Sequence, residues 1–318
     1  MVKGIFGLIM DIILLFFIFG LITGLSKINL RLPSQTYSFL SSYLLLSIGL
    51  KGGIEFHKGN PSEIGPQALY VMILGVAIAL LAYPILLKLG KLDRTNAASI
   101  AAHYGSVSVG TFAAVIGYLQ SEGIPFESYV PLFVVLLEVP AIIVGIFLAN
   151  GKIEKGSFKR ILKEAFLGKS IILLIGGLLM GMVATEASVS EVEPFFFLLF
   201  KGCLAIFLLE MGQLASEKMY GLKESAPFLI LFGVGMPLIS ALIGTLLGVA
   251  MGLSLGGTTI LATLAASSSY IAVPAAMKIS LPEANPSLSL GASLGITFPF
   301  NVVVGIPLYF SLAKLLSL

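Results

Sequence analysis

Ala101-Ala-His-Tyr-Gly-Ser-Val-Ser-Val-Gly-Thr111 lies in the middle of a long apolar run, yet it is a poor continuous helix. A second stretch of the same character, Ala265-Ala-Ser-Ser-Ser-Tyr-Ile-Ala-Val-Pro-Ala275, follows 164 residues later (101 to 265). Gly105, Gly110 and Pro274 weaken the backbone hydrogen-bond ladder, and the serines offer oxygens to groups that a break would release. Each stretch therefore reads as two half-helices meeting at a polar gap. In lipid, non-helical backbone persists only where protein buries it or where it lines a cavity, so the paired gaps mark the candidate substrate site.

The composition around these stretches fixes the solvent. Of 318 residues, 57% are apolar and 11% charged, against roughly 25% charged in a soluble domain. Mean hydropathy is strongly positive. The chain is expected to be an all-α polytopic membrane protein. A net charge of +3 is too small and scattered for a nucleic-acid partner. One cysteine, Cys203, excludes a disulfide framework, and two histidines, His57 and His103, make a metal centre improbable on composition. No cofactor is expected. Met1 to Lys3 followed by Gly4 to Leu25 fits a retained membrane helix better than a signal peptide, because the run is long and Asp11 interrupts it.

Polar and Pro/Gly-rich punctuation divides the chain into ten spans, near 4–25, 35–52, 67–90, 95–120, 128–149, 169–187, 194–216, 226–252, 256–280 and 286–315. Ten spans place both termini on one side. Lys3, Lys51, Lys58 and Lys314 fall on that side and fourteen basic residues on the other, including Lys152, Lys155, Lys159, Arg160, Lys163 and Lys169. The positive-inside rule makes the second side cytoplasmic, with both termini outside.

Gly49 in Leu46-Ser-Ile-Gly-Leu50 aligns with Gly212 in Leu209-Glu-Met-Gly-Gln213 at an offset of 163, and Thr95 aligns with Thr259 at 164. Val139-Pro140 resembles Phe298-Pro299 at an offset of 159. Residues 1–150 and 169–318 thus form two five-span repeats joined by a cytoplasmic linker at 151–168. An odd number of spans inverts the second copy in the membrane, as in many secondary transporters.

A half-helix that begins near the membrane centre presents unpaired N–H groups and partial positive charge, which favours an anion. Inversion brings two such N-termini to one site, where Ser106, Ser108, Thr111, Ser267, Ser268 and Ser269 add hydroxyls, flanked by Gly105 and Tyr270. The same hydroxyls, with carbonyls of the broken backbone, can instead coordinate sodium, and residue type does not divide them between the two ions. A helix terminus is worth about 0.3–1 kcal/mol, rising to about 2 when partly buried, whereas a charge at the bilayer centre costs at least about 2.5–3.5 kcal/mol. A co-bound cation offsets part of that difference, which favours cation–anion co-transport.

Other polar residues in the spans divide by chemistry. Glu138, with Thr297 as its repeat partner and Asn301 nearby, is a candidate for cation coordination or for support of the broken helices. Asn96, at the entrance of the fourth span, is either a helix cap or part of the site. Lys201, Glu210 and Asp11 read as structural groups that meet a partner on another helix or snorkel, and His103 as an interhelical hydrogen-bonding residue. Ser99 and Ser293 read as ordinary helix-packing serines.

Seven segments in order resemble the sodium-dependent bicarbonate transporter family (SbtA-type) over nearly the whole chain: Tyr43–Gly53, Ala101–Ser108, Glu138–Gly145, Phe207–Gly212, Ala265–Met277, Leu281–Pro286 and Ser293–Asn301. The resemblance implies a ten-helix inverted-repeat symporter in the cell inner membrane. It implies a homotrimer in which a mobile core moves bicarbonate with sodium past a gate domain. It also implies Ser106, Ser108, Ser268 and Ser269 as ligands, and a small PII-like regulatory protein docking on the cytoplasmic face. Competing expectations are a symporter of another small carboxylate and a cation/proton antiporter. An enzyme is not expected, since no cysteine–histidine cluster or phosphate-binding glycine loop is present.

Overall fold

The computed structural model describes residues 12–56, 64–151, 163, 167–220 and 226–317. Lys3, Asp11, His57, Lys58 and most of the linker at 151–168 lie outside them. Among the described residues the chain is helical without strands. Its helices are α1 Ile12–Leu25, α2 Ser34–Phe56, α3 Ile64–Lys88, α4 Arg94–Gly105, α5 Val109–Ser121, α6 Pro131–Asn150 and α7 Lys169–Val183. They continue as α8 Glu186–Glu193, α9 Phe200–Tyr220, α10 Ala226–Ala250, α11 Leu255–Ala266 and α12 Ala272–Ser280, and end with the long rod α13 Pro286–Leu316.

Among the described residues six stretches are long and apolar enough to cross a membrane: 67–88, 94–121 taken across its break, α6, 186–219, 227–250 and α13. α1, α7 and α11 are apolar but shorter. The expected fourth and ninth spans are each divided, α4 from α5 at Ser106–Ser108 and α11 from α12 at Ser267–Ile271. The seventh expected span begins differently from its reading, because Pro194–Leu198 forms a widened π-type turn between α8 and α9.

α1 lies along α9 and α2 along α7, while α3, α4 and α6 pack together, as do α10, α11 and α13. Glycines set the first two contacts. A Cβ at Gly212 would meet the Phe17 carbonyl and fall 2.6 Å from Leu21 N. At Gly49 it would meet the Leu174 carbonyl and fall 3.0 Å from Leu178 N. Without a driving force from water between helices, such small residues let backbones approach and gain dispersion contact.

A polar clamp fastens the α1–α2 connection to α9. Glu210, fully buried, accepts from Arg31 Nε (2.6 Å) and Leu32 N–H (2.7 Å). Arg31 Nη1 also reaches Glu217 at 2.6 Å. Partial burial opposes the Arg31 charge, but Glu217 and Glu210 outweigh it and raise the guanidinium further above its ordinary value. Gln213 accepts from Leu30 N–H (3.2 Å) and donates to Gly20 O (3.0 Å) and Thr23 Oγ1 (2.8 Å). The buried carboxylate of Glu210 is thus matched by a cation and a backbone donor from the connection, as a buried charge requires.

α13 is not the uniform helix expected for the tenth span. Gly291–Thr297 and Asn301–Gly305 are widened to π-type bonding. Pro299 and Pro307 each lack an N–H and push on the preceding turn, and a π-bulge accommodates that defect without breaking the rod.

Candidate functional site

The two interruptions meet. Ser108 N–H donates to Ser267 Oγ (3.1 Å), and Ser269 N–H donates to the His103 carbonyl (2.8 Å). Each bond joins a gap in one broken span to the other. Ser106, Ser108, Ser267, Ser268 and Ser269 are all buried.

Local sequence explains both gaps. Ser108 caps α5, its Oγ accepting from Thr111 N–H (3.0 Å) and Thr111 Oγ1 (2.9 Å). Ser267 ends α11, its N–H (3.1 Å) and Oγ (2.8 Å) both returning to the Leu264 carbonyl. Ser269 Oγ accepts from Val273 N–H (3.3 Å) in the first turn of α12. Ser/Thr oxygens thus replace the backbone partners lost where each helix stops, as capping residues do.

Four helix ends converge at this crossing: the C-termini of α4 and α11 and the N-termini of α5 and α12. The first pair brings partial negative charge and carbonyls, and the second brings partial positive charge and N–H groups. A cation and an anion can therefore be served from neighbouring halves of one crossing. Two buried hydroxyls there, Ser268 Oγ and Tyr270 OH, have no hydrogen-bond partner among the described residues. The Tyr270 hydroxyl lies against Gly110, where a Cβ would collide with it and would fall 3.3 Å from both Phe207 and Phe298. Orphaned buried hydroxyls are costly, and a polar ligand would satisfy them.

The remaining expected residues take distinct places. Gly105 packs: its Cβ position lies 2.6 Å from Gly75 O and 2.9 Å from Ala141 Cβ. Glu138 is beside the crossing, since Ser106 Oγ donates to its backbone carbonyl (3.4 Å), while its own Oε2 is buried without a partner. Thr297 donates to Gly233 O (2.7 Å) and so accepts from Tyr104 OH (2.6 Å), tying α13 to the end of α4. Asn301 Nδ2 donates to Ala266 O (2.9 Å), and its Oδ1 accepts from Tyr309 OH (2.7 Å), tying α13 to the end of α11. These two side chains support the half-helix ends from behind.

Asn96 stands apart, near the start of α4. The cap there is Asp93, which accepts from Asn96 N–H (2.9 Å) and Nδ2 (2.5 Å). Partial burial opposes the Asp93 charge, but the Asn96 donors outweigh it and hold the carboxyl below its ordinary value. His103 also departs from the expectation of an interhelical ring bond. Its Nδ1 pairs with Ser99 O (2.7 Å) one turn back in the same helix, Nε2 has no partner among the described residues, and its backbone carbonyl reaches the other span. Ser293 bonds within α13, to Ser289 O.

Two residues that sequence reasoning passed over hold the outer ends of the broken spans. Glu127, from the α5–α6 connection, accepts from Ser254 N–H (2.5 Å) and Ser254 Oγ (3.0 Å) at the N-terminus of α11. Asn285, from the α12–α13 connection, donates its N–H to Asn96 Oδ1 (2.7 Å) at the N-terminus of α4. Each broken span is thus clasped by the loop that follows the other. The signal was present as spacing, since Glu127 and Asn285 are 158 residues apart. Glu127→Ala removes a carboxylate from a helix N-terminus and two of its bonds, and should lower stability by about 1–2 kcal/mol. A thermal shift in detergent checks this, with Glu127→Gln expected to retain part of the loss.

Two clefts flank the crossing from opposite ends of the bundle. One, of about 220 Å³, is lined by Glu138, Lys169, Ser170, Ile271 and Ala275. The other, of about 70 Å³, lies towards the Phe56 end of α2 and is lined in part by Ser47, Lys51, Gln120 and Phe200. No group of three or more potential metal ligands of the His, Cys, Asp and Glu type occurs among the described residues. No curated protein matches the chain. A family model does match it, over residues 12–314, and by that match the chain belongs to the Na+-dependent bicarbonate transporter superfamily.

Proposed function

We propose that the protein is a sodium-coupled bicarbonate symporter that imports the anion through the crossing of its two broken spans. The observation that carries this reading is the reciprocal pair of bonds, Ser108 N–H to Ser267 Oγ and Ser269 N–H to His103 O. It brings four half-helix ends and the unsatisfied Ser268 and Tyr270 hydroxyls to one buried place. Bicarbonate is the anion at the N-terminal ends; sodium takes hydroxyl and carbonyl oxygens, with Glu138 close enough to contribute charge. The cation lowers the cost of burying the anion, so each ion binds poorly without the other.

The two-repeat organisation is supported by equivalent packing. Gly49 against Leu174 and Leu178, and Gly212 against Phe17 and Leu21, are the same contact at offsets of 163 (49 to 212) and 157 (17 to 174, 21 to 178). The crosswise clasps of Glu127 and Asn285 have the same symmetry. In this reading α3–α6 and α10–α13 form the mobile core, and α1, α2 and α7–α9 form the gate domain. Alternating access follows when the core slides so that the crossing meets first one cleft and then the other. The cleft at Glu138 reaches closer to the crossing and lies on the Lys169 side, which the basic residues make cytoplasmic.

Proteoliposomes presented with labelled bicarbonate on the outside test this. Uptake should require inward sodium and fall to the protein-free background when choline replaces it. Sodium-independent uptake would overturn the coupling, and complete suppression by an excess of another small carboxylate would reassign the anion.

A further inference from the structure

We propose that the cavity at the Phe56 end of α2 is a second anion site, an outer station at which Lys51 holds the incoming substrate before it reaches the crossing. The proposal rests on the transport reading above. The cavity is lined by Ser47, Lys51 and Glu55 from α2, Gln120 from α5, Ser128, and Phe200 from α9. It therefore lies between the proposed gate domain and the core, on the route an anion from outside would take.

Lys51 is half-buried and has no ion pair or hydrogen bond among the described residues. Arg31, by contrast, holds Glu210 and Glu217, and Lys169 donates to Ser38 Oγ (2.5 Å). An ammonium that lines a small cavity and is held in no ion pair among the described residues can take an anion there. Gln120 and Ser128 supply polar groups across from it. Glu55, one helical turn beyond Lys51, adds an opposing charge at the same wall. That combination selects a small, singly charged oxyanion over a dianion, because a second negative charge would meet the Glu55 carboxylate.

The station is separated from the crossing by a closed seam. Ile116, on the cavity wall, is eight residues along α5 from Ser108, or about 12 Å at 1.5 Å per residue. Between them Phe207 of α9 flanks Gly110 at 3.3 Å, and just beyond Ile116 Leu204 of α9 fills the space at Gly117, 2.5 Å from its Cβ position. A Cβ at Gly52 would fall 2.9 Å from Ser128 O, so α2 and the loop before α6 are in close contact beside the cavity. An anion at Lys51 therefore waits outside an apolar barrier made by α5 and α9, and separation of these helices would connect the two sites.

The test uses full-length protein in sided proteoliposomes, with initial rates measured over a range of bicarbonate concentrations. Lys51→Ala should raise the KM for bicarbonate presented at the Lys51 face by about tenfold, the scale of one lost charge-assisted contact. It should leave the maximal rate and the KM at the opposite face within about twofold, and Lys51→Arg should restore the KM. An unchanged KM at the Lys51 face, or equal losses from both faces that Lys51→Arg does not repair, would overturn the proposal. If the wild type moved no bicarbonate, the transport reading would fail, and binding would then decide the Lys51 site by itself. NMR titration of labelled bicarbonate against wild-type and Lys51→Ala protein in detergent would support it by a lost site and overturn it by equal binding.

Discussion

Ser267→Ala is expected to reduce sodium-dependent bicarbonate uptake by about 5- to 150-fold, the equivalent of the roughly 1–3 kcal/mol cost of an unsatisfied buried polar group. Ser267 Oγ both donates to Leu264 O and accepts from Ser108 N–H, so it fastens the end of α11 to the start of α5. Without it, the buried Ser108 N–H at the α5 cap loses its partner, and of the two reciprocal bonds Ser269 N–H to His103 O alone remains. The loss should fall on transport more than on assembly, because the helices flanking the gap keep their packing. Ser293→Ala is the matched control, since its hydroxyl bonds only within α13. Comparable rates in both variants, normalised to inserted protein, would show that the crossing has no special part in transport.

Gly212→Val should have the largest effect on the fold. The added Cβ would occupy the position of the Phe17 carbonyl and approach Gly20 C to 2.9 Å. Those atoms are backbone of α1 and cannot rotate aside as a side chain would. Overpacking in a close-packed interior costs about 1–3 kcal/mol, occasionally more, and here a branched side chain must separate two whole helices. The same displacement strains the Glu210–Arg31 clamp two residues away. The expected result is loss of most monodisperse protein in detergent, measured by size-exclusion chromatography, while Gly202→Val is tolerated because nothing lies near its Cβ position. Equal recovery of the two variants would refute the close-contact account of α1 and α9.

The parts of this architecture that were legible in sequence are those written in residue type along one helix. Long apolar runs gave the helical segments, and Gly105, Gly110, Pro274 and the serines gave both interruptions. Partners across the fold were less legible. The Glu210 carboxylate reads as an isolated charge in an apolar span until the α1–α2 connection folds back and supplies Arg31 and the Leu32 N–H. Glu127 reads as a solvated loop residue because its partner, Ser254, is 127 residues away. The π-type turns in α13 are not legible in residue type, since a proline inside a helix is equally met by a kink or by widening the helix with the rod intact. For His103, the side chain drew attention although the backbone carbonyl makes the connection.

Electron cryomicroscopy of the full-length protein, reconstituted with sodium and bicarbonate and compared with the same protein in choline without bicarbonate, tests the central claim most directly. The account predicts density between the α5 and α12 N-termini, within hydrogen-bonding reach of Ser108 and Ser268, that is present only with both ions. Maps that are identical at the crossing in the two conditions, with substrate density located elsewhere in the protein, would contradict it.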